Sequence, residues 1–175
     1  RHSTPPRTHS HIFFSFFPGS VLTAKFHLGI IYFDNLIGAA GGPGADTDTN
    51  AARGLSYMMA VANAGSGIAD SYSPEPRDPA RHPLSREEMI AAAQQNIGWA
   101  YYTGAPGIIE TDEAQARAWW LLAAEGGNSK AMMNLALLAA RSYRTDPKDP
   151  LSVVPGNMEE SLEWHRRAAD AGNAT

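Results

Sequence analysis

The sequence contains no cysteine, which excludes disulfide bonds, thiolate metal sites and a cysteine nucleophile. It has no excess of positive charge: 14 Lys and Arg stand against 18 Asp and Glu, for a net charge of −4. The chain therefore lacks the basic surface that a nucleic-acid backbone attracts. Apolar residues never run for the roughly 18 positions that a membrane helix needs, and the Ile12–Phe17 run ends at Pro18. We predict no nucleic-acid partner and no membrane span in this segment.

Nothing in the sequence assembles a recognisable reactive site. The glycine-rich segment Gly41–Gly44 is not followed by the Gly-Lys-Ser/Thr of a phosphate-binding loop. Asp46, Asp48 and Asn50 begin like a calcium-binding loop, in which oxygen ligands alternate along the chain. That loop needs a glycine at the next position, where the sequence has Ala51. We therefore predict no catalytic residue, no metal and no cofactor.

The sequence does contain a two-part phrase that occurs three times. In its clearest copy, the first half reads A-Q-Q-N-I-G-W-A-Y-Y-T-G from Ala93, and the second half reads A-R-A-W-W-L-L-A-A-E-G-G and ends at Gly127. Related first halves begin at Ala24 and Ala131. Self-similarity of this kind is typical of solenoids, in which each unit buries its apolar face against the next.

The copies share small and large residues at helical spacing. Ala116, Trp119 and Ala123 are three and four residues apart, which places them on one face of a helix. The glycine that ends each copy suits the left-handed position after a helix. Each copy thus predicts an antiparallel helix hairpin, and the chain an all-α solenoid of about three hairpins. The predicted packing residues are Ala24, Leu28, Gly29, Tyr57 and Gly65 in copy one, Ala93, Ile97, Gly98, Tyr101, Ala116, Trp119, Ala123 and Gly127 in copy two, and Ala131, Leu135, Ala136, Trp164, Ala168 and Gly172 in copy three.

The middle copy resembles the Sel1-like repeat proteins, also called HCP-like, which are relatives of the tetratricopeptide solenoids. The resemblance implies a right-handed α/α superhelix whose first helices line a concave face for a protein or peptide partner. It further implies a non-catalytic adaptor or scaffold. The residues that match the family phrase, in order, are Ala93, Ile97, Gly98, Tyr101, Gly104, Gly107, Ile108, Asp112, Ala116, Trp119, Ala123, Ala124 and Gly127.

Helix-start signals and proline-rich stretches divide the chain. Ser85 has Glu88 three residues on, a capping-box pattern, and Asp112 and Asn157 begin the same signal for two later helices. About seven extra residues separate the helices of each outer copy. We expect the third copy to be truncated, because the chain stops where another first-half helix would begin. The predicted divisions are a disordered leader (1–20), repeat 1 (21–65), an inserted loop (66–84), repeat 2 (85–127) and repeat 3 (128–175).

A candidate partner-binding strip runs beside the packing residues on the first helices. Gln95, Trp99 and Tyr102 fall at i, i+4 and i+7, and an aromatic strip on a concave face suits an extended or helical peptide. The alternative is that these side chains only pack against the next repeat. The other predicted partner-binding residues are Phe26, Ile30 and Phe33 in copy one, Asn96 in copy two, and Met133, Asn134 and Leu137 in copy three.

Two other functions are consistent with the resemblance. One is a fragment of a membrane-anchored adaptor, of the type that serves ER-associated degradation or chitin-synthase regulation. The other is a β-lactam-binding or β-lactam-hydrolysing enzyme, for which the sequence offers no S-x-x-K motif. The compartment stays open between the cytoplasm, as default, and an association with the ER.

Overall fold

The structure is a computed structural model, which describes residues 21–38, 47–66, 84–104, 108–146 and 148–173. For Val21, for residues 33–38, 47–51 and 65–66, and for Asn173, only the backbone is described. The predicted leader (1–20) and residues 67–83 of the predicted inserted loop lie outside the described residues.

Six α-helices form the described part of the chain. A short 3₁₀ helix (Asn63–Ser66) extends the second helix, and two short strands pair between the fifth and the sixth. The elements are α1 (Val21–Gly38), α2 (Thr47–Ala62), α3 (Arg86–Thr103), α4 (Glu113–Glu125), α5 (Ser129–Ala140), β1 (Tyr143–Arg144), β2 (Val153–Val154) and α6 (Met158–Asn173).

The helices pack as three consecutive hairpins. The closest packing is within the pairs α1–α2, α3–α4 and α5–α6, and α2–α3 and α4–α5 connect one pair to the next. This pattern of nearest-neighbour contact defines a solenoid. The predicted all-α solenoid is therefore confirmed, while the hand of its superhelix stays a prediction.

The loop between α5 and α6 contains an element that the sequence analysis did not predict. Tyr143 pairs with Val154 and Arg144 with Val153 in an antiparallel two-stranded ladder. The aromatic and β-branched side chains here favour a strand. The turn between the strands is held by Asp146, whose carboxylate accepts from the backbone N–H of Lys148 at 2.8 Å. The extra residues of the third copy are thus an ordered hairpin.

The predicted helix starts are present. Ser85 and Glu88 form a capping box at α3. The Asp112 carboxylate accepts from the backbone N–H of Gln115 at 2.9 Å. Asn157 accepts from the first-turn N–H groups of α6 at 3.0 and 3.1 Å. Local hydrogen bonds that satisfy the free amides of a first turn therefore define where these helices begin.

The closing glycines behave differently in the three copies. Gly127 has φ of +81°, the left-handed conformation predicted for a residue after a helix. Gly172 instead lies inside α6, and Gly65 lies in the 3₁₀ helix. Among the three closing glycines, Gly127 of the middle copy is therefore the one whose positive φ favours glycine.

Buried side chains form two clusters, and their boundary passes through the middle hairpin. The first cluster joins α1, α2 and α3, with Met58 and Ile97 at its centre. The second cluster joins α4, α5 and α6, with Trp120 and Leu135 at its centre. Tyr101 of α3 packs against both. One repeat thus contributes one helix to each core.

The small residues of the predicted packing stripe are buried. Ala116 and Ala123 have no exposed surface and Ala168 is 5% exposed. Trp164 packs in the second cluster at 9% exposure. Trp119 is half-buried against the first cluster. Close helix approach in this stripe therefore rests on alanine.

The aromatic ring that fills the core of the middle repeat is Trp120, which the sequence analysis did not single out. It is 1% exposed, and its Nε1 donates to the Gln95 carbonyl oxygen at 3.2 Å. A Cβ built on Gly98 would lie 2.5 Å from Cδ1 of this ring and 2.6 Å from its Nε1. The absent side chain of Gly98 therefore lets the indole rest on α3 and reach its backbone.

Two assignments in α1 are corrected by the structure. Leu28, predicted to pack, is 37% exposed, whereas Phe26, predicted to face a partner, is 4% exposed. The two errors have one cause, because residues two apart lie about 200° apart around a helix. The buried face of α1 runs through Leu22, Phe26 and Gly29, so it is rotated relative to the aligned face of α3.

A buried hydroxyl links the two helices of the third hairpin. Ser161 of α6 is 3% exposed, and its Oγ donates to the Ala136 carbonyl oxygen of α5 at 2.8 Å. Ser161 stands three residues before Trp164, as Ala116 stands three before Trp119. The serine therefore combines the small size of that position with a hydrogen bond between helices.

We predict that Gly98→Ala lowers the free energy of unfolding by about 1–3 kcal/mol, because the new methyl group overlaps the Trp120 ring. Urea unfolding followed by circular dichroism measures the change. The control is Gly172→Ala, where a Cβ meets no atom within 4 Å; it should leave stability unchanged or raise it by up to about 1 kcal/mol. Equal effects of the two substitutions would contradict the close approach of Trp120 to α3.

We also predict that Ser161→Ala lowers the free energy of unfolding by about 1 kcal/mol, since a buried interhelical hydrogen bond is lost. The matched control is Ser56→Ala. Ser56 is exposed, and its Oγ donates to the carbonyl oxygen of Arg53 within its own helix. A drop of the same size in both variants would contradict the stabilising role of the interhelical bond.

Candidate partner-binding site

The predicted strip on α3 is a row of packed aromatic rings. The ring centroids of Trp99 and Tyr102 are 5.6 Å apart, and those of Tyr102 and Trp120 are 5.4 Å apart. Trp99 and Tyr102 are half-buried, as are the side chains of Gln95 and Asn96. The rings therefore pack against the core on one side and keep part of their surface in solvent.

The strip on α5 is more exposed. Met133 is 43% exposed and Leu137 is 60% exposed, and the two are one helical turn apart. Asn134, beside them, is half-buried. The third hairpin thus presents apolar side chains that its own core does not cover.

The predicted strip does not continue onto α1 as aligned. Phe26 lies in the core, as described above, and Ile30 is half-buried against the same cluster. The side chain of Phe33 lies outside the described residues. Of the three predicted positions on this helix, Ile30 alone is described with part of its side chain in solvent.

An ion pair connects the ends of α4 and α5 beside this strip. Arg141, which follows α5, donates through Nη2 to the carboxylate of Glu113 at the start of α4. The other carboxylate oxygen of Glu113 accepts the backbone N–H of Arg144 in β1 at 2.9 Å. A single carboxylate therefore holds both the C-terminal end of α5 and the first strand of the hairpin.

Arg141 also contacts the aromatic row. Its Nη2 donates to the hydroxyl oxygen of Tyr102 at 3.2 Å, and its Cζ lies 5.3 Å from the centroid of that ring. This is a cation–π distance. Tyr102 therefore joins the α3 strip to the cationic end of α5.

The charge of Arg141 is secured by these contacts. Partial burial acts to lower the pKa of Arg141, but the hydrogen bond and negative charge of Glu113, with a smaller contribution from Tyr102, act in the opposite direction and together outweigh it. The pKa of Arg141 therefore lies above its ordinary value, and the guanidinium remains a permanent cation.

These groups line an open cleft of about 670 Å³. Its walls come from the end of α3, the start of α4, the end of α5 and the β1–β2 hairpin. The residues that line it include Tyr102, Glu113, Arg141, Tyr143, Arg144 and Val153.

A family comparison agrees with this architecture. The Sel1 repeat model matches residues 91–128 and 129–173, which cover most of α3 with α4, and α5 with α6. Residues 91–173 belong to the Sel1 repeat family. Sel1 repeats are generally protein-interaction modules, and the family is typically non-catalytic. The hairpin α1–α2 lies outside the matched residues, and its identity as a further Sel1 repeat stays a prediction.

The described residues of the Sel1 repeats and the preceding hairpin contain neither a membrane-spanning helix nor a cluster of metal ligands. No helix there is both long enough and apolar enough to cross a membrane. No group of three or more His, Asp or Glu side chains comes together there in a way that could hold a metal ion.

Apart from Tyr102, the cleft residues were missed by the sequence analysis, although one signal was available. Arg141 follows Met133 and Leu137 at intervals of eight and four residues, so it continues their face of α5. Glu113 gave no comparable signal, because it lies 28 residues before Arg141 and meets it through the stacking of two Sel1 repeats.

We predict that Glu113→Gln lowers the free energy of unfolding by about 1 kcal/mol and speeds hydrogen exchange at the Arg144 amide, because one amide oxygen cannot replace both carboxylate contacts. NMR-detected exchange and urea unfolding test this. The control is Glu163→Gln, which breaks an exposed pair with Arg166 within α6 and should change neither quantity. Unchanged exchange at Arg144 in the Glu113 variant would contradict the role of this carboxylate.

Proposed function

We propose that this chain is a non-catalytic adaptor whose Sel1 repeats bind a peptide segment of a partner protein along α3 and α5. The observation that carries the proposal is the exposure of Met133 and Leu137 on α5, together with the half-buried rings of Trp99 and Tyr102 on α3, the first helix of the preceding repeat.

The packing of these residues favours a binding role. Binding is favoured when a partner covers large apolar side chains that were exposed to water, because their apolar surface is then buried. Trp99 and Tyr102 are held in place by ring contacts, so little side-chain freedom is lost when they are covered. Rigid aromatic anchors next to aliphatic side chains are typical of the residues that dominate binding energy.

The position of the strip also supports a peptide partner. Helices α3 and α5 are the first helices of two consecutive Sel1 repeats, and both pack against α4. A ligand that contacts both must extend across two repeats, which suits an extended or helical peptide. Such binding depends on the stacking of the repeats, because α4 and the Trp120 core set the spacing between α3 and α5.

We predict that Leu137→Asp weakens peptide binding by at least about tenfold, because it places a charge in the centre of the apolar contact. The ligand is obtained by displaying random peptides, selecting them on the intact chain and synthesising the selected sequences. Fluorescence anisotropy then measures Kd for the wild type and the variants.

The matched control is Leu162→Asp. Leu162 is 67% exposed, and it lies on α6, the second helix of its repeat. Its substitution should leave Kd unchanged, and circular dichroism should find both variants folded because neither side chain is buried. If no peptide is selected, or if Leu137→Asp binds as tightly as the wild type, this assignment of the binding surface is rejected.

A further inference from the structure

We propose that the cleft between Arg141, Arg144 and Tyr102 binds a negatively charged side chain of the same partner peptide. This inference rests on the proposed function and adds the chemical class of the ligand. The acidic group is a carboxylate or a phosphate, since both offer oxygen atoms to guanidinium donors.

The cleft is continuous with the apolar strip. Met133 and Leu137 lie one turn apart on α5, and Arg141 comes four residues after Leu137, directly after the helix ends. Arg141 touches Tyr102 at the end of the α3 row. A peptide that covers Leu137 and Trp99 therefore reaches the cleft at one end of the strip.

The charge of the cleft is positive. Glu113 is neutralised by its ion pair with Arg141. The second cation, Arg144, uses its backbone N–H to bind Glu113, and within the described part of the chain no carboxylate forms an ion pair with its guanidinium. One unit of positive charge is left in the cleft of a chain whose net charge is −4. The cleft is thus a local anion-binding surface on an acidic protein.

The donors of the cleft are held in position before a ligand arrives. The hydrogen bonds of Arg141 to Glu113 and Tyr102 both leave from Nη2, and a guanidinium has further donors on Nη1 and Nε. The Tyr102 ring lies against this group, with its centroid 5.3 Å from Cζ. An anion that enters meets one arginine with a fixed orientation and a second, Arg144, that is exposed and can close on it.

The inserted hairpin makes this site possible. Tyr143, Arg144 and Val153 line the cleft from β1 and β2, which lie in the lengthened loop between α5 and α6. The inserted hairpin therefore contributes one side of the anion-binding cleft, at the end of the peptide-binding strip.

The decisive variant is Arg144→Glu. Since the contact of Arg144 with Glu113 is made by its backbone, the substitution reverses the charge and keeps that hydrogen bond. The matched control is Arg53→Glu, the same charge change at an exposed position of α2, away from the cleft. Thermal unfolding followed by circular dichroism verifies that both variants fold.

The test uses random peptides displayed and selected on the intact wild-type chain. We expect Asp or Glu to be enriched at one end of an apolar motif. Binding of the synthesised peptide, measured by fluorescence anisotropy, should weaken by about tenfold or more in Arg144→Glu and stay unchanged in Arg53→Glu. Peptides without an acidic position that bind wild type and Arg144→Glu equally would overturn the inference and leave the peptide groove standing. Selection of no peptide would overturn both.

Three versions of the selected peptide then identify the anion. They carry Glu, Gln or phosphoserine at the acidic position and are otherwise identical. Gln should bind about tenfold more weakly than Glu, because it keeps the shape and loses the charge. Tighter binding of phosphoserine than of Glu, lost in Arg144→Glu, assigns the cleft to a phosphate, and weaker binding assigns it to a carboxylate. Equal binding of Gln and Glu would overturn the inference.

Discussion

The contact between Trp120 and the backbone of α3 sets the position of most of the features described above. The indole lies over Gly98 and donates to the carbonyl oxygen of Gln95, which holds α4 close to α3. The same ring packs against Tyr102, and Tyr102 in turn supports Arg141. A large side chain in place of Gly98 would displace the ring, and with it the whole series of contacts. The aromatic row is therefore both part of the core and the base of the candidate binding surface.

Local sequence signals predicted the boundaries of the helices well. Ser85, Asp112 and Asn157 form their caps with residues two or three positions away. Because these hydrogen bonds are local, the sequence pattern predicts them directly. The small residues Ala116 and Ala123 were likewise predictable, because every copy needs a small side chain where its helices cross. The repeat itself carried the fold, since each hairpin requires a neighbour to cover its apolar face.

Two kinds of feature were not predicted from the sequence: the rotation of a helix about its axis, and contacts between residues far apart in the chain. In α1, a rotation of the buried face exchanged the roles of Phe26 and Leu28, and the alignment of the copies could not detect it. The ion pair of Glu113 with Arg141 joins residues of different repeats and depends on how these stack. The β1–β2 ladder lies on either side of Pro147 and Pro150, and in the sequence these prolines mark the segment only as a loop. These features depend on tertiary contacts, and the sequence of a single repeat does not predict them.

The division of the core has a consequence for how such a chain can change in length. Each of the two buried clusters takes α-helices from two hairpins, and the middle hairpin contributes α3 to one cluster and α4 to the other. A cut at the junction between two hairpins therefore opens a hydrophobic centre. A cut inside the middle hairpin keeps the fully buried residues of each centre together, but it breaks the contact of Trp120 with α3. When a hairpin is gained or lost during evolution, the neighbouring hairpins must repack the part of each buried cluster that the hairpin supplied. We expect the exchange of hairpins to be restricted mainly by how their side chains pack against the neighbouring hairpin. The sequence within any one hairpin should matter less.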